Sequence, residues 1–293
     1  MKHRCVVITP CKDESAFIEA TLRSMVTQTV RPDRWIIVDD GSKDHSPDIV
    51  ASWSGENQWI ELVRTEKTGE RQLGPGVVAA FNRGLEYLGN VPFDIIAKLD
   101  ADLEFGPQTL SRILALFENP KVGMGSGTTY LKVGDALVSE RHAEYFVPGQ
   151  AKFYRRACFE QIGGLRPIYG WDIIDQIDAR RHGWITLHDP DTPIIHHRLQ
   201  GSAFGPIKGR LIWGWGAYAT GSHPLFALGR GLYRMVERPW IIGGLAFLWG
   251  FFANAWKPTV TRIQDPDLIR YVRKEQLYRL LHGNRLPKKG LLP

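Results

Sequence analysis

The chain has 293 residues, of which 43% are hydrophobic and 23% are charged, and its formal net charge is +6. This composition excludes an intrinsically disordered chain, a collagen-like repeat and a small disulfide scaffold, and it fits one large or two modest domains with a hydrophobic core. The charge is uneven, because residues 1–202 carry 23 Lys and Arg against 27 Asp and Glu, whereas residues 203–293 carry 14 against 4. A mildly acidic body therefore precedes a strongly basic C-terminal region.

The first half of the sequence alternates short apolar runs with segments of helical periodicity. Apolar runs rich in β-branched residues predict buried strands, and apolar residues three and four positions apart predict helices. In chain order, the predicted strands are 4–9, 35–38, 60–64 and 94–99, and the predicted helices are 15–26 (with Ser15 as N-cap), 46–53, 76–88 and 107–118. This alternation favours an α/β fold in which helices cover both faces of a mostly parallel sheet.

Acidic pairs follow two of the predicted strands. Asp39 and Asp40 follow the second strand, and Asp100 and Asp102 follow the fourth. Ligands of such sheets bind beyond the carboxyl ends of the strands, and two carboxylates one residue apart can share a Mg²⁺ or Mn²⁺ ion. The alternative is that these residues only form turns and strand ends. A Gly-rich dinucleotide motif and a P-loop are both missing from the sequence, which disfavours those two nucleotide-binding classes.

Four segments resemble the family 2 glycosyltransferases, whose catalytic domain adopts the GT-A fold. They read Ile8-Thr9-Pro10 with Lys12-Asp13-Glu14, then Val38-Asp39-Asp40-Gly41-Ser42, Gly76-Val77-Val78-Ala79-Ala80-Phe81-Asn82-Arg83-Gly84, and Leu99-Asp100-Ala101-Asp102. Their order and spacing match the family as well as their residue types, and together they cover roughly residues 4–202. Phe81 departs from the pattern, because many members have Arg there.

The resemblance implies a metal-dependent, inverting transfer of a sugar from a UDP- or GDP-sugar. It implies that the nucleotide sugar is contacted by Pro10, Lys12, Glu14, Asp39, Asp40, Asn82, Asp100 and Arg198. It also implies Mn²⁺ or Mg²⁺ bound by Asp102 and by a histidine after the last core strand. Adjacent residues of a strand point to opposite faces, so either His196 or His197 can serve. His197 is preferred, because it lies nearer the carboxyl end.

Asp172 is the predicted catalytic base. It stands at the start of a predicted helix, where the helix dipole favours an ionised carboxylate. In the resembled family the corresponding acidic residue lies at the same distance before a glycine, here Gly183, whereas Trp171 stands where many members have Glu. Such a carboxylate can accept the proton of the attacking acceptor hydroxyl. Asp175, one turn further along, is the alternative base, and simple N-capping is the alternative role of Asp172.

The basic C-terminal region contains 18 consecutive uncharged residues, 239–256, between Arg238 and Lys257. A helix of this length would be about 27 Å long, at the lower limit for a bilayer span. Basic residues on both flanks disfavour a single span. In order of preference, we expect a monotopic or re-entrant membrane helix, a buried core helix and a true span. Nucleic-acid binding is disfavoured, because the positive charge accompanies apolar stretches.

These observations define the expected organisation of the chain. Residues 1–202 are predicted to form the catalytic domain, with a nucleotide-sugar half (about 1–105) and an acceptor half (about 106–202). Residues 203–293 would bind an anionic membrane surface at the cytoplasmic face, as a peripheral or monotopic region, and the acceptor would be a lipid-linked sugar or a growing polysaccharide. Two alternatives remain open: a polyprenyl-phosphate glycosyltransferase, which would tolerate Asp172→Asn, and a catalytically inactive nucleotide-binding scaffold.

Overall fold

The computed structural model describes residues 3–65, 74–133, 136–139, 142–198, 205–283 and 286. The chain divides into two compact units, which are described separately. Unit 1 comprises Met1–Gln72, Gly76–Gly164 and Trp184–Arg198, and unit 2 comprises Leu73–Pro75, Leu165–Gly183 and Leu199–Pro293. The segment that carries Asp172 thus groups with the C-terminal helices, and the predicted domain boundary at residue 202 stays a prediction.

The strands of the described residues all belong to unit 1. They are β1 (Cys5–Cys11), β2 (Arg34–Asp39), β3 (Ile60–Arg64), β4 (Ile95–Leu99), β5 (Leu103–Phe105), β6 (Val122–Val133), β7 (Ala136–Ser139), β8 (Ala151–Arg155) and β9 (Ile185–His196). They form one sheet in the order β3-β2-β1-β4-β8-β6-β9-β5, with β7 paired to β6. The first four strands of this order are mutually parallel, and β8 runs antiparallel between β4 and β6. The expected mixed, mostly parallel sheet is therefore present.

Five helices of the described residues accompany the sheet. They are α1 (Ile18–Val26), α2 (Ser46–Glu56), α3 (Pro75–Leu88), α4 (Thr109–Leu116) and α5 (Arg156–Gln161). The predicted N-cap at Ser15 is wrong, because α1 begins three residues later with Phe17 as its N-cap. Ser15 instead donates its backbone N–H to the carboxylate of Asp44 (2.9 Å), which holds the preceding segment in a turn.

The core of unit 1 explains why its strands are continuously apolar. Residues of β1, β2 and β4 such as Val7, Ile36 and Ile95 are fully buried, as expected for parallel strands covered on both faces. Helix α3 lies directly on β1, since a Cβ added to Gly84 would approach Ile8 Cγ2 to 2.6 Å. Glycine at position 84 is therefore what allows the helix to approach the sheet this closely.

Unit 2 is helical in its described residues. Its helices are α6 (Trp171–Arg181), α7 (Pro206–Ala219), α8 (Pro224–Arg234), α9 (Ile241–Trp256) and α10 (Pro266–Leu281). Helices α6 and α10 contact through a buried aliphatic cluster that includes Ile177 and Val272. Helices α7 and α9 approach through glycines, because a Cβ on Gly214 would lie 2.2 Å from the carbonyl oxygen of Phe247.

Almost all of the uncharged segment 239–256 lies in α9. One face of the helix is buried and includes Phe247 and Phe251, whereas Trp249 and Trp256 on the other face are 72% and 92% exposed. In the part of the chain that the structure describes, none of the helices combines the length and apolar character needed to cross a bilayer.

Candidate functional site

The loops that follow β1 and β2 are joined by hydrogen bonds. The N–H of Asp13 donates to Ser42 Oγ (2.9 Å), the N–H of Lys43 donates to the Asp13 carboxylate (2.7 Å), and the N–H of Glu14 donates to Ser46 Oγ (2.7 Å). Asp13 adopts a positive φ of 52°, which few residues other than glycine adopt. The two loops, which carry Lys12, Glu14 and Asp40 of the predicted nucleotide contacts, are thus fixed against each other.

The carboxylate of Asp44 adds further hydrogen bonds between the two loops. Its carboxylate accepts hydrogen bonds from the N–H groups of Ser15 (2.9 Å) and Ser46 (3.0 Å). Burial opposes ionisation of Asp44, but the hydrogen bonds from Ser46 and Ser15 outweigh it and lower the pKa of Asp44 to about 2. Asp44 is therefore ionised at neutral pH and serves to hold the loops.

Four of the predicted nucleotide contacts lie together at the carboxyl ends of β1 and β2. Pro10 pairs with Val38 across these strands. Lys12 Nζ donates to the backbone oxygen of Asp40 (2.8 Å), and Asp39 accepts from the N–H of Ser42 (3.1 Å).

Asn82, a further predicted contact, lies on α3 of unit 1, where it is partly exposed.

Glu14 and Arg198 are paired with each other. Arg198 Nη2 donates to Glu14 Oε2 (2.6 Å), and Arg198 Nη1 donates to Glu14 Oε1 (3.3 Å). Arg198 Nε also lies 3.9 Å from Asp102 Oδ2, and its guanidinium lies 5.2 Å from the centre of the Phe17 ring. Phe17 has no place in the sequence motifs, so its role in seating Arg198 was missed.

Asp100, Asp102 and His196 form a candidate metal site. Each offers a ligand atom, and these atoms all lie within 4.8 Å of one another. His196 Nε2 is 3.3 Å from Asp102 Oδ2, since β9 ends at His196, which pairs with Leu103 of β5. Two carboxylates and an imidazole suit a divalent cation such as Mn²⁺ or Mg²⁺.

Lys98 orients one of these carboxylates. It is buried in β4, and its Nζ donates to Asp100 and to the backbone oxygen of Gly149 (3.0 Å). In the sequence, this role of Lys98 was indicated only by its position two residues before Asp100, which places both side chains on the same face of the strand.

His197 lies apart from this cluster. Its Nε2 is 3.1 Å from Glu104 Oε2, and its ring stacks on Phe17 with a centroid distance of 5.9 Å. Because His196 and His197 are neighbours at the end of an extended strand, their side chains diverge. The geometry therefore favours His196 as the metal ligand over His197, the residue preferred in the sequence analysis.

Asp172 belongs to unit 2, where it lies in the first turn of α6. The N-cap of this helix is Gly170, with a φ of 78°, so Asp172 is inside the helix and does not cap it. Asp172 is partly exposed, whereas the alternative base Asp175 is buried and accepts from the N–H of Gln176 (2.6 Å). Exposure favours Asp172 over Asp175 as a group that could meet a substrate.

Comparison with known proteins assigns the family. The sequence profile of glycosyl transferase family 2 matches residues 6–169. The chain belongs to this family. It is therefore a glycosyltransferase, in agreement with the motifs at the ends of β1, β2 and β4. A comparison with curated protein sequences gives no match.

Solved glycosyltransferases share the fold of this family 2 enzyme. A mannosyltransferase from Pyrobaculum calidifontis, PcManGT, in complex with GDP-Man and Mn²⁺, is 18% identical with a TM-score of 0.56, covering 98% of this chain and 77% of that one. TarS 1-349 from S. aureus is 14% identical with a TM-score of 0.55, covering 96% and 87%. GalNAc-T7 with UDP, GalNAc and Mn²⁺ is 13% identical with a TM-score of 0.59, covering 97% and 58%. The GT-A fold expected from the sequence is confirmed.

Proposed function

We propose that this glycosyltransferase moves a sugar from a UDP- or GDP-sugar to an acceptor hydroxyl, with inversion and with Mn²⁺ or Mg²⁺ as cofactor. The observation that carries the proposal is the convergence of Asp100, Asp102 and His196 at the carboxyl edge of the sheet. A divalent cation bound by these residues would stabilise the negative charge of the diphosphate leaving group. The neighbours that hold GDP-Man or UDP support a nucleotide-sugar donor of either base.

The side chains around this cluster suit the donor. Asp39 and Asp40, at the end of β2, are assigned to the base and ribose, with Lys12 fixing the backbone of Asp40 through its hydrogen bond (2.8 Å). Arg198, beside Asp102, would add positive charge next to the diphosphate. The ion pair between Arg198 and Glu14 supports a role of Arg198 in binding the diphosphate, because it holds the guanidinium in one position before the donor binds.

Asp172 is proposed as the catalytic base. A carboxylate in the first turn of a helix is kept ionised by the helix dipole. In that state it can accept the proton of the acceptor hydroxyl as the hydroxyl attacks the sugar. Its partial exposure supports access to an acceptor.

We further propose that residues 203–293 bind the cytoplasmic face of a membrane, where the acceptor is a lipid-linked sugar or a growing polysaccharide. Large apolar side chains are exposed along α8, α9 and the segment between them, including Leu232, Val236, Ile242 and Trp249. They occur in the region with ten more basic than acidic residues. Apolar side chains beside Lys and Arg are typical of helices that lie on anionic membranes.

The function is tested by nucleoside-diphosphate release. The full chain is incubated with a panel of UDP- and GDP-sugars, Mn²⁺ and a lipid extract, and released nucleotide and glycosylated product are measured. We expect turnover with one donor, its loss in Asp102→Asn, and its retention in Asp48→Asn, a control on the exposed face of α2. Absence of turnover with every donor would contradict the proposal and favour a nucleotide-binding scaffold.

A further inference from the structure

A buried lysine lies against the candidate metal site. Lys98 belongs to β4, its side chain is 3% exposed, and its Nζ donates to the Asp100 carboxylate and to the backbone oxygen of Gly149 (3.0 Å). A buried ammonium group needs a partner, because it has lost its hydration. The Asp100 side chain is 29% exposed, so its carboxylate meets Lys98 on one side and can meet a ligand on the other. Asp100 is therefore both the counter-ion of Lys98 and a candidate metal ligand.

The second acidic residue of the candidate metal site also has a cation beside it. Arg198 Nε lies 3.9 Å from Asp102 Oδ2, and the same guanidinium donates to the Glu14 carboxylate. His196, the third candidate ligand, would bind a metal as a neutral imidazole and adds no charge. With Lys98 and Asp100 included, these contacts join three carboxylates to two cations. Much of the negative charge that a free cation would seek is thus already compensated by the protein.

The charge balance at this site distinguishes a free cation from a cation bound to a diphosphate. The affinity of a protein site for a hard divalent cation depends on the charge of its ligands, which Lys98 offsets at Asp100. A free Mn²⁺ or Mg²⁺ ion would also be repelled by the Lys98 ammonium group. The diphosphate of a nucleotide sugar carries as much negative charge as the ion carries positive charge. The complex of the two is therefore neutral, and its diphosphate is attracted by the charge that repels the ion.

We propose that Lys98 makes the site selective for the complex of a divalent cation with a nucleoside diphosphate. Its charge lowers the affinity for the free cation and raises the affinity for the diphosphate, so that the two are taken up together. The inference rests on the proposed function, in which Asp100, Asp102 and His196 hold the cation. It adds a charge-balancing role of Lys98 to the orientation of Asp100. Because Lys98 acts through Asp100, it is a positioning residue and not a catalytic residue.

Charge balance and simple orientation of Asp100 predict opposite effects when Lys98 is replaced. If Lys98 only orients Asp100, its loss disorders a metal ligand, and the free cation binds more weakly. If the charge of Lys98 limits metal binding, its loss makes the free cation bind more tightly and the metal-free nucleotide bind more weakly. A general disruption of the site would weaken both.

Binding of Mn²⁺ to the full chain, followed by the loss of the electron paramagnetic resonance signal of the free ion, tests this inference. Lys98→Met removes the ammonium group and keeps the length of the side chain. We expect Lys98→Met to bind free Mn²⁺ about tenfold more tightly than the wild type, or better, because a unit charge close to a divalent ion has at least this effect. In EDTA it should bind UDP and GDP about threefold more weakly, or worse, in calorimetric titration. Formation of the complete complex from enzyme, Mn²⁺ and nucleotide should change less than either step.

Two further variants keep the result interpretable. Lys98→Gln removes the charge but retains a side-chain N–H donor for Asp100 and Gly149, so it should also bind free Mn²⁺ more tightly. Lys121→Met is the matched control and should bind like the wild type. Lys121 is exposed and precedes Val122, which pairs with the first residue of β9, whereas His196 is the last residue of that strand. If Lys98→Gln bound free Mn²⁺ no more tightly than the wild type, the inference would be overturned, whether or not Lys98→Met folds.

The assay separates this inference from the proposed function, because it needs neither a sugar donor nor turnover. If Lys98→Gln gained affinity for free Mn²⁺ but the wild type released nucleotide from none of the donors, the proposed function alone would be contradicted. If the wild type turned over a donor with Mn²⁺ but Lys98→Gln gained no affinity for the free ion, the inference alone would be contradicted.

Discussion

Arg198 and Glu14, 184 positions apart in the sequence, form a two-point ion pair in unit 1. The Glu14 side chain is only 3% exposed, and Arg198 follows directly on the histidines at the end of β9. This ion pair therefore connects the loop after β1 to the end of β9 through the buried Glu14 carboxylate.

Removing the cation of this pair should destabilise the protein. Arg198→Gln removes the two hydrogen bonds that the guanidinium donates to the buried Glu14 carboxylate, which should lower the unfolding free energy by about 1.5–3 kcal/mol in urea denaturation. The double variant with Glu14→Gln should recover part of this loss, since the two changes remove one interaction. Arg156→Gln, from an exposed pair with Glu160, is the control and should cost less than about 1 kcal/mol. Strictly additive losses would show that the pair is not coupled.

The two adjacent histidines offer a matched test of the metal site. His196→Gln should abolish the Mn²⁺-dependent part of the thermal stabilisation by UDP or GDP, as should Asp102→Ala. His197→Gln should retain it, because His197 lies against Glu104 and Phe17. The thermal shift of each variant with nucleotide is measured with and without Mn²⁺. If His197→Gln lost the Mn²⁺-dependent stabilisation and His196→Gln kept it, His197 and not His196 would be the metal ligand.

Asp172→Asn should separate donor binding from transfer. If Asp172 is the base, donor affinity stays near that of the wild type while the transfer rate falls at least ~100-fold, the scale of a lost general base. Asp175→Asn is the comparison: because Asp175 is buried against the N–H of Gln176, its loss should lower the melting temperature before it affects the rate. Unchanged transfer by Asp172→Asn would point to a phosphate acceptor, as in the polyprenyl-phosphate alternative.

A buried ion pair joins α6 to α10. Arg180 donates to both carboxylate oxygens of Glu275 (3.0 and 2.9 Å), and the side chains are 4% and 0% exposed. Arg180→Met should therefore lower the unfolding free energy by about 3–5 kcal/mol, because the buried Glu275 carboxylate loses both hydrogen bonds and retains Arg279, whose Nη1 lies 4.0 Å from Oε1. The exposed pair of Arg270 and Asp267 on α10 is the control, and Arg270→Met should cost no more than about 1 kcal/mol. If Arg180→Met and Arg270→Met lowered the unfolding free energy equally, burial of the Arg180–Glu275 pair would not be the reason for its contribution to stability.

Because of Tyr271, we expect the folded protein to lose stability at alkaline pH. Burial, followed by the nearby Glu275 carboxylate, raises the pKa of Tyr271 to about 12. The unfolded chain ionises this hydroxyl near pH 10, where the folded protein still holds the proton. The contribution of Tyr271 is thus fully present below about pH 10 and falls as the pH rises towards 12. Denaturation of wild type and Tyr271→Phe at pH 8 and 11 should show a smaller decline in the variant.

The sequence was sufficient to predict those elements that depend only on residues close together in the chain. The apolar runs of β1, β2 and β4 and the acidic residues after them predicted the parallel part of the sheet and the edge where the metal candidates lie. The choice between His196 and His197 was not local, because it depends on how β9 pairs with β5. The pairing of Glu14 with Arg198 was equally hidden, since it joins positions 184 apart. The N-cap prediction at Ser15 was wrong because α1 begins only at Ile18, after a turn in which the Ser15 N–H donates to Asp44, a tertiary contact that the local pattern does not reveal.

The contact between α7 and α9 has a consequence for how unit 2 responds to its surroundings. Gly214 and Gly250 let the two backbones touch, and a Cβ on Gly250 would lie 2.4 Å from the carbonyl oxygen of Leu211. Contacts of this kind draw on close van der Waals packing and not on the release of water, which is why helices associate through small residues even in hydrocarbon. The α7–α9 pair should therefore keep its geometry when its outer face passes from an aqueous to an oily medium, so adsorption to lipid would require no refolding of this pair.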